Sequence, residues 1–230
     1  MRGGRMKLKK VIKKDFEILC REGTSDEFIV KEVLSGEYRK LSIDETDIIC
    51  DIGQNIGVFS LWAVSKGAKK IYGFEAEPEN STLAKINIEK NGYAKRVDCF
   101  NEAVVGTDHQ TRPFSFNTKK NKGAHSLVRK KGRTTTRVKC KNINKIFEEF
   151  KPSIVKMDIE GGEIECLHAV KSFKGIRELI LEYHHAHLND KSFKLYISLL
   201  KHLSKHFASL DYRKPSVIGG AWTGIIHAKN

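Results

Sequence analysis

Proline occurs only four times in 230 residues, and no stretch is dominated by Gly, Ser or any single residue, so the sequence shows no linker, repeat or low-complexity segment. That excludes a bead-on-string organisation and leaves one globular domain with a short extension. No apolar run approaches the ~18 residues that a membrane-spanning helix requires, and 30% of the residues are charged, so no membrane insertion is expected. The basic start, Met1 to Lys10, is followed by neither an apolar stretch nor a small-residue cleavage site, so no secretory leader is expected. Cysteines number five, at 20, 50, 99, 140 and 166, never in a C-x-x-C pair. An odd, scattered set argues against a disulfide framework or zinc site and predicts a reducing, cytoplasmic setting.

Acidic residues are missing from one long region. Between Asp108 and Glu148 there is none, while Lys and Arg occur twelve times. The formal net charge of +14 points to an anionic partner such as a nucleic acid, a phosphorylated metabolite or an acidic glycan. Lys119, Lys120, Lys122, Arg129, Lys130 and Lys131 are expected to form a positive rim that captures such an acceptor. Phe114 and Phe116 lie in the same region as candidate stacking surfaces or core.

From Ile48 onward, strand-like and helix-like stretches alternate. Strands are expected over 48–52, 71–74, 97–105, 153–159 and 179–183, with helices over 58–66, 80–91 and 163–170. Two more strands are expected between His206 and Ala228, the last of them, 221–227, antiparallel. Residues 1–46 read as a basic lead-in, α-rich or irregular, and 47–230 as the domain proper. Such a series predicts an α/β, Rossmann-like fold with a mostly parallel central sheet flanked by helices. Its ligands belong at the carboxyl ends of the strands, where strand order reverses.

The G-x-G-x-x-G fingerprint of dinucleotide enzymes is absent. In its place stands Asp51-Ile-Gly-Gln-Asn-Ile-Gly57, between a predicted strand and a predicted helix. Gly53 and Gly57 allow a tight turn and close approach of a ligand. Glu75, 24 positions after Asp51 at the end of the next strand, is placed to accept both hydroxyls of an adenosine ribose. A nucleoside without phosphates but with a charged amino-acid portion, S-adenosylmethionine, fits this version.

The chain resembles the FkbM-type methyltransferases, a class I family that typically methylates hydroxyl groups. The matching segments are Gly36-Glu-Tyr38, Asp51 to Ser60, Tyr72 to Pro78, Asn101 to Val105, Ala124 to Leu127 and Val155 to Glu163. Two departures stand out: Gln54 replaces a small residue, and Gly162 falls where alanine is frequent. The resemblance implies that Asp51, Gly53, Asn55 and Gly57 border the methionine portion and that Glu75 holds the ribose. It places Asn101 or Glu102 near the adenine and Ala103 beside the ring.

Methyl transfer is an in-line displacement, so the protein must align the acceptor and take its proton. Asp158 and Glu160 end one predicted strand and share a face if the chain stays extended; Glu182 and His184 have the same relation on the next. Asp158 is expected to face the cofactor or orient the acceptor, with Glu160 or His184 as the base, while Glu163 suits the N-terminus of the following helix. The run Glu182-Tyr-His-His-Ala-His187 invites a metal reading. Alternation sends His184 and His185 to opposite faces, so no metal is expected.

For the acceptor, the resemblance favours a hydroxyl of a saccharide or small polyhydroxylated metabolite, whereas the charge favours RNA or DNA, methylated on a ribose or base. No Asn/Asp-Pro-Pro-Tyr sequence follows the fourth strand, which weakens base N-methylation. A non-catalytic cofactor-binding subunit is the remaining alternative.

Overall fold

The central strands carry apolar residues on both faces, as parallel strands covered on both sides must. The computed structural model describes residues 7–36, 38–116, 134–185, 190–213, 216–218 and 221–230. It opens with a hairpin of β1 (Leu8–Lys13) and β2 (Phe16–Arg21), then α1 (Asp26–Ser35). The main series follows as β3 (Ile48–Ile52), α2 (Val58–Ser65), β4 (Lys70–Phe74), α3 (Pro78–Lys90) and β5 (Val97–Phe100). A small three-stranded sheet comes next, from β6 (Ala103–Val105), β7 (Thr111–Phe116) and β8 (Thr134–Asn142), in the order β6-β8-β7. The chain continues through α4 (Ile143–Phe150), β9 (Ile154–Met157), α5 (Glu163–Ala169), β10 (Glu178–His185) and α6 (Asp190–Leu203). It ends in β11 (Ser209–Tyr212), β12 (Ser216–Ile218) and β13 (Ala221–Lys229).

The main sheet has eight strands in the order β11-β13-β10-β9-β3-β4-β5, with β12 also on β13. β10, β9, β3, β4 and β5 run parallel, and β13 joins antiparallel to β10. The first strand of the series, β3, thus lies in the middle: the chain builds β4 and β5 on one side and returns to place β9 on the other. The reversal between β3 and β9 opens a crevice at their carboxyl ends.

Alternation along the strands separates two cores. Cys50, Ile52, Val155, Met157, Leu179 and Leu181 face α4, α5 and α6, while Ile49, Ile154 and Ile180 face the hairpin, α1 and α2. On this second face each central strand turns from apolar to polar toward its carboxyl end: Ile49 to Asp51, Ile154 to Lys156 and Asp158, Ile180 to Glu182 and His184. Truncating one of the buried isoleucines to alanine would cost about 2–5 kcal/mol.

Several expectations need correcting. The 97–105 stretch is two strands, because the chain breaks at Asn101–Glu102 and β6 leaves the main sheet for β8. Residues 8–35 are a hairpin and one helix, not α-rich or irregular; Phe16, Ile18, Val30 and Leu34 share a core with α2. The end holds three strands rather than two, and α4, α6 and the β7–β8 hairpin were unforeseen. The late strand is antiparallel. Helix α3 starts at Pro78, two residues early, because Pro suits the first helical turn and the Glu77 side chain caps it by accepting from Asn80 N at 2.5 Å. Among the described residues, no helix is long and apolar enough to cross a membrane.

Candidate active site at the carboxyl ends of β3, β4 and β9

A cleft, partly open to solvent, lies at the predicted crevice. Its cofactor side is built mainly by backbone. Gly53 has φ +84°, and a Cβ there would stand 1.8 Å from the Asp158 carbonyl oxygen, so the β3 and β9 loops touch only because this residue is glycine. Asn55, also lining the cleft, takes φ +53° and accepts from Ile56 N through its own side chain. Its backbone N–H donates to Glu75 Oε2 at 2.8 Å, and Glu77 N donates to Glu75 Oε1 at 2.8 Å. Glu75 lines the cleft and is only 7% exposed. Burial pushes its carboxyl up to about 7, against the pull of those two N–H groups and of Lys156.

The remaining cofactor candidates divide. Glu102 and Ala103 line the cleft, as do Asn80 and Phe114. Asn101 lies instead in an adjoining groove with Arg137 and Lys139, and its amide donates to the Glu75 and Ala76 carbonyls. Gly57, with φ +86°, does not line the cleft; it lets α2 start against Ala84 of α3. Asp51 is 0% exposed and lies behind the loop, where Ser60 Oγ donates to it at 2.7 Å and Lys156 Nζ stands at 3.3 Å.

Lys156, missed in the sequence, ties these parts together by donating to the Gly53 carbonyl at 2.6 Å. Burial alone would lower its pKa, but Asp51 and Asp158 more than offset that and raise it. A lysine inside an otherwise apolar strand was the available signal. Gln54, the large residue at a small position, is buried and donates to Ser60 Oγ at 3.0 Å. Gly73 makes the room: a Cβ there would lie 2.0 Å from Gln54 Nε2.

The reacting side is built from charged side chains. Asp158 and Glu160 both line the cleft, though not by strand alternation: the chain turns at Glu160, φ +57°, and Gly161, φ +112°. Such conformations cluster at functional sites. Glu163 fixes this turn, accepting from Ile159 N at 3.1 Å and from Gly161 N at 3.1 and 3.0 Å. On β10, which stays extended through His185, Glu182 and His184 share a face as expected. The 6%-exposed His184 is surrounded: Nδ1 lies 3.4 Å from Glu163 Oε1 and 3.7 Å from Asp158 Oδ1, and Nε2 lies 3.4 Å from Glu182 Oε1 and 4.0 Å from Glu160 Oε1. Burial would lower the imidazole's pKa, but Glu163 and Glu182 hold it well above the usual histidine range. Burial would likewise raise Glu182, and the His184 contact brings it below its ordinary value. Asp158 is pushed up to about 6, first by burial and then by Glu182. Glu32 of α1, exposed at its tip, reaches the same field: desolvation by its surroundings, then Glu182 and Asp158, push its carboxyl up to about 7.

The six predicted rim residues, Lys119, Lys120, Lys122, Arg129, Lys130 and Lys131, lie outside the described residues, as do Phe116's side chain and His187. Other cations of that stretch have partners: Arg112 with Glu165 at 2.6 Å, and Lys141 with Glu149 at 2.7 Å.

Over 51 residues the chain is 39% identical to uncharacterized protein MJ1452 of Methanocaldococcus jannaschii, a match spanning 22% of this chain and 19% of that one. Over 184 residues it is 24% identical to the hexuronic acid methyltransferase AglP of Haloferax volcanii, covering 76% of this chain and 71% of the relative. Among solved structures, TYW2 of M. jannaschii, in complex with AdoMet, superposes with a TM-score of 0.55 at 14% identity over 98% of this chain and 87% of that one, which shows a shared fold. The model of the methyltransferase FkbM domain matches residues 51–214, from the buried Asp51 through both sides of the cleft, and the chain belongs to that family of class I, S-adenosylmethionine-dependent methyltransferases.

Proposed function

We propose that this methyltransferase modifies a hydroxyl of a saccharide-like or small polyhydroxylated acceptor, with Glu160 as the base. The observation that carries the reading is the pair of carboxylates, Asp158 and Glu160, in the same cleft that Gly53, Asn55 and Glu75 line. The relative named for hexuronic acid supports an acceptor of the sugar class.

S-adenosylmethionine, when bound, supplies an electrophilic methyl group on a sulfonium sulfur. Glu75 holds the ribose hydroxyls, and the Gly53–Asn55 turn leaves room for the methionine portion. Asp158 aligns the acceptor hydroxyl. Glu160 would take the proton of the acceptor hydroxyl as that oxygen is methylated, the bound cofactor supplying the methyl group and a neutral sulfide as the leaving group. His184 is a positioning residue: its buried ring lies between Asp158 and Glu182 and orients both carboxylates.

The test is transfer of labelled methyl from S-adenosylmethionine to extracted glycans, small metabolites, RNA and DNA. Label in the saccharide or metabolite fraction supports the reading, and label confined to nucleic acid overturns it. With an acceptor in hand, Glu160→Gln should lower kcat about 10²–10⁴-fold while the cofactor dissociation constant stays within about twofold. Full turnover in that variant removes Glu160 from the chemistry.

A further inference from the structure

At the reacting end of the cleft, Asp158, Glu182 and His184 each offer one metal-ligand atom, and the three atoms lie within 4.8 Å of one another. Donors held about 2.0–2.2 Å from an ion stand at most about 4.4 Å apart, so small side-chain movements would close this set. Among the described residues no other group of three such side chains meets that spacing.

The scaffold favours the set. Met157 and Leu181 are register partners on adjacent parallel strands, so Asp158 and Glu182 leave the sheet side by side, and His184 follows two residues on. The group is more than a collection of acids, because a nearly fully buried imidazole is aimed into it. Its Nδ1 is kept by the Glu182 carbonyl oxygen at 3.2 Å and Glu163 Oε1 at 3.4 Å, while Nε2 faces the Glu182 carboxylate and would release its proton to solvent on coordination. A carboxylate that orients one nitrogen while the other meets an ion is a common outer-shell arrangement.

Charge points the same way. Asp158, Glu160, Glu163 and Glu182 all lie within 4.0 Å of this one ring. Lys156, the neighbouring cation, is committed to Asp51 and the Gly53 carbonyl. Four carboxylates converging on a partly buried site repel one another and any anionic acceptor.

We propose that Asp158, Glu182 and His184 hold a divalent first-row transition-metal ion, of the Mn²⁺ kind, at the acceptor end. Two carboxylates and one imidazole favour such an ion over Ca²⁺, which takes oxygen ligands. The ion neutralises the acidic cluster and draws acceptor oxygens to the cleft. That second role rests on the saccharide reading above; the coordination does not.

The experiment titrates the full chain, stripped with a chelator, with Mn²⁺ in a calorimeter, without acceptor. One ion per chain is expected. Glu182→Gln and His184→Gln should each weaken binding roughly tenfold or more, and Glu148→Gln on the exposed face of α4 should leave it unchanged. Pulsed electron paramagnetic resonance on the unmodified protein reads the ligands directly and does not depend on a variant folding: a ¹⁴N coupling from one imidazole is expected. No binding, an all-oxygen coordination sphere, or equal affinity in both variants overturns the site. A nitrogen-ligated ion supports the site even if no saccharide is methylated, and saccharide methylation by ion-free protein overturns the acceptor role.

Discussion

The two ends of the cleft are made of different material. At the cofactor end the ligand surface is backbone: Gly53, the left-handed Asn55, and Glu75, whose two oxygens each accept from a main-chain N–H. At the reacting end it is the side chains of Asp158 and Glu160, backed by His184, Glu163 and Glu182, which do not line the cleft themselves. A backbone surface is fixed once the strand, turn and helix are fixed, so it suits a cofactor that never changes. A side-chain surface can be altered one residue at a time without disturbing the sheet.

If that contrast holds, the largest effects should come from the backbone end. Gly53→Ala places a methyl group against the Asp158 carbonyl oxygen and forces an unfavourable φ. It should cost more than about 4 kcal/mol and abolish cofactor binding, read by denaturant melts and calorimetry. Near-native affinity would show that the two loops can separate. Next comes Lys156→Met, which leaves Asp51 buried without its ion partner at 3.3 Å. Loss of about 3–5 kcal/mol is expected; a change under about 1 kcal/mol, the scale of an exposed pair, would mean that Asp51 is reached by solvent.

Glu75 sharpens the comparison by pH. Its carboxyl rises from 4.5 to about 7 through burial, with Glu77 adding repulsion and Lys156 opposing. A carboxyl raised on folding stabilises the cofactor-free protein below pH 4.5, and that contribution is lost as the pH rises through about 7. The ionised form is the better acceptor of ribose hydroxyls, so cofactor affinity should rise over the same window. In Glu75→Gln affinity should be roughly tenfold weaker at pH 8 and flat with pH; a wild-type profile retained in that variant would assign the titration elsewhere.

Much of this was legible in the sequence. The parallel series, the antiparallel last strand and the Gly53–Asn55–Glu75 edge of the cleft all follow from local pattern, because apolar periodicity and glycine spacing are local properties. What was hidden depends on register. Asp51 reads as a ligand-facing acid until its pairing with Lys156 across β3 and β9 turns it into a buried ion pair. Asn101 and Glu102 read as one strand with Ala103 until β6 joins β8. Glu32, exposed on α1, reads as an isolated surface acid until the fold brings it into the field of Glu182 and Asp158. Each of these needs a long-range contact that one sequence does not display.

The smallest expected effect tests whether such hidden contacts also explain the family departure at Gln54. Its bulk is accommodated by Gly73 on the neighbouring strand, where any Cβ would lie 2.0 Å from Gln54 Nε2, and its amide is tied to Ser60 and through Ser60 to Asp51. Gly73→Ala alone should therefore destabilise by about 1–3 kcal/mol through overpacking. Gln54→Ala alone should also cost stability, through an emptied site and a lost hydrogen bond. Combined, the smaller side chain at 54 leaves room for the new methyl at 73, so the double variant should be more stable than the sum of the singles by about 1 kcal/mol or more. Strict additivity in denaturant melts would mean that Gln54 turns aside freely when Gly73 is filled, and that the two positions are independent.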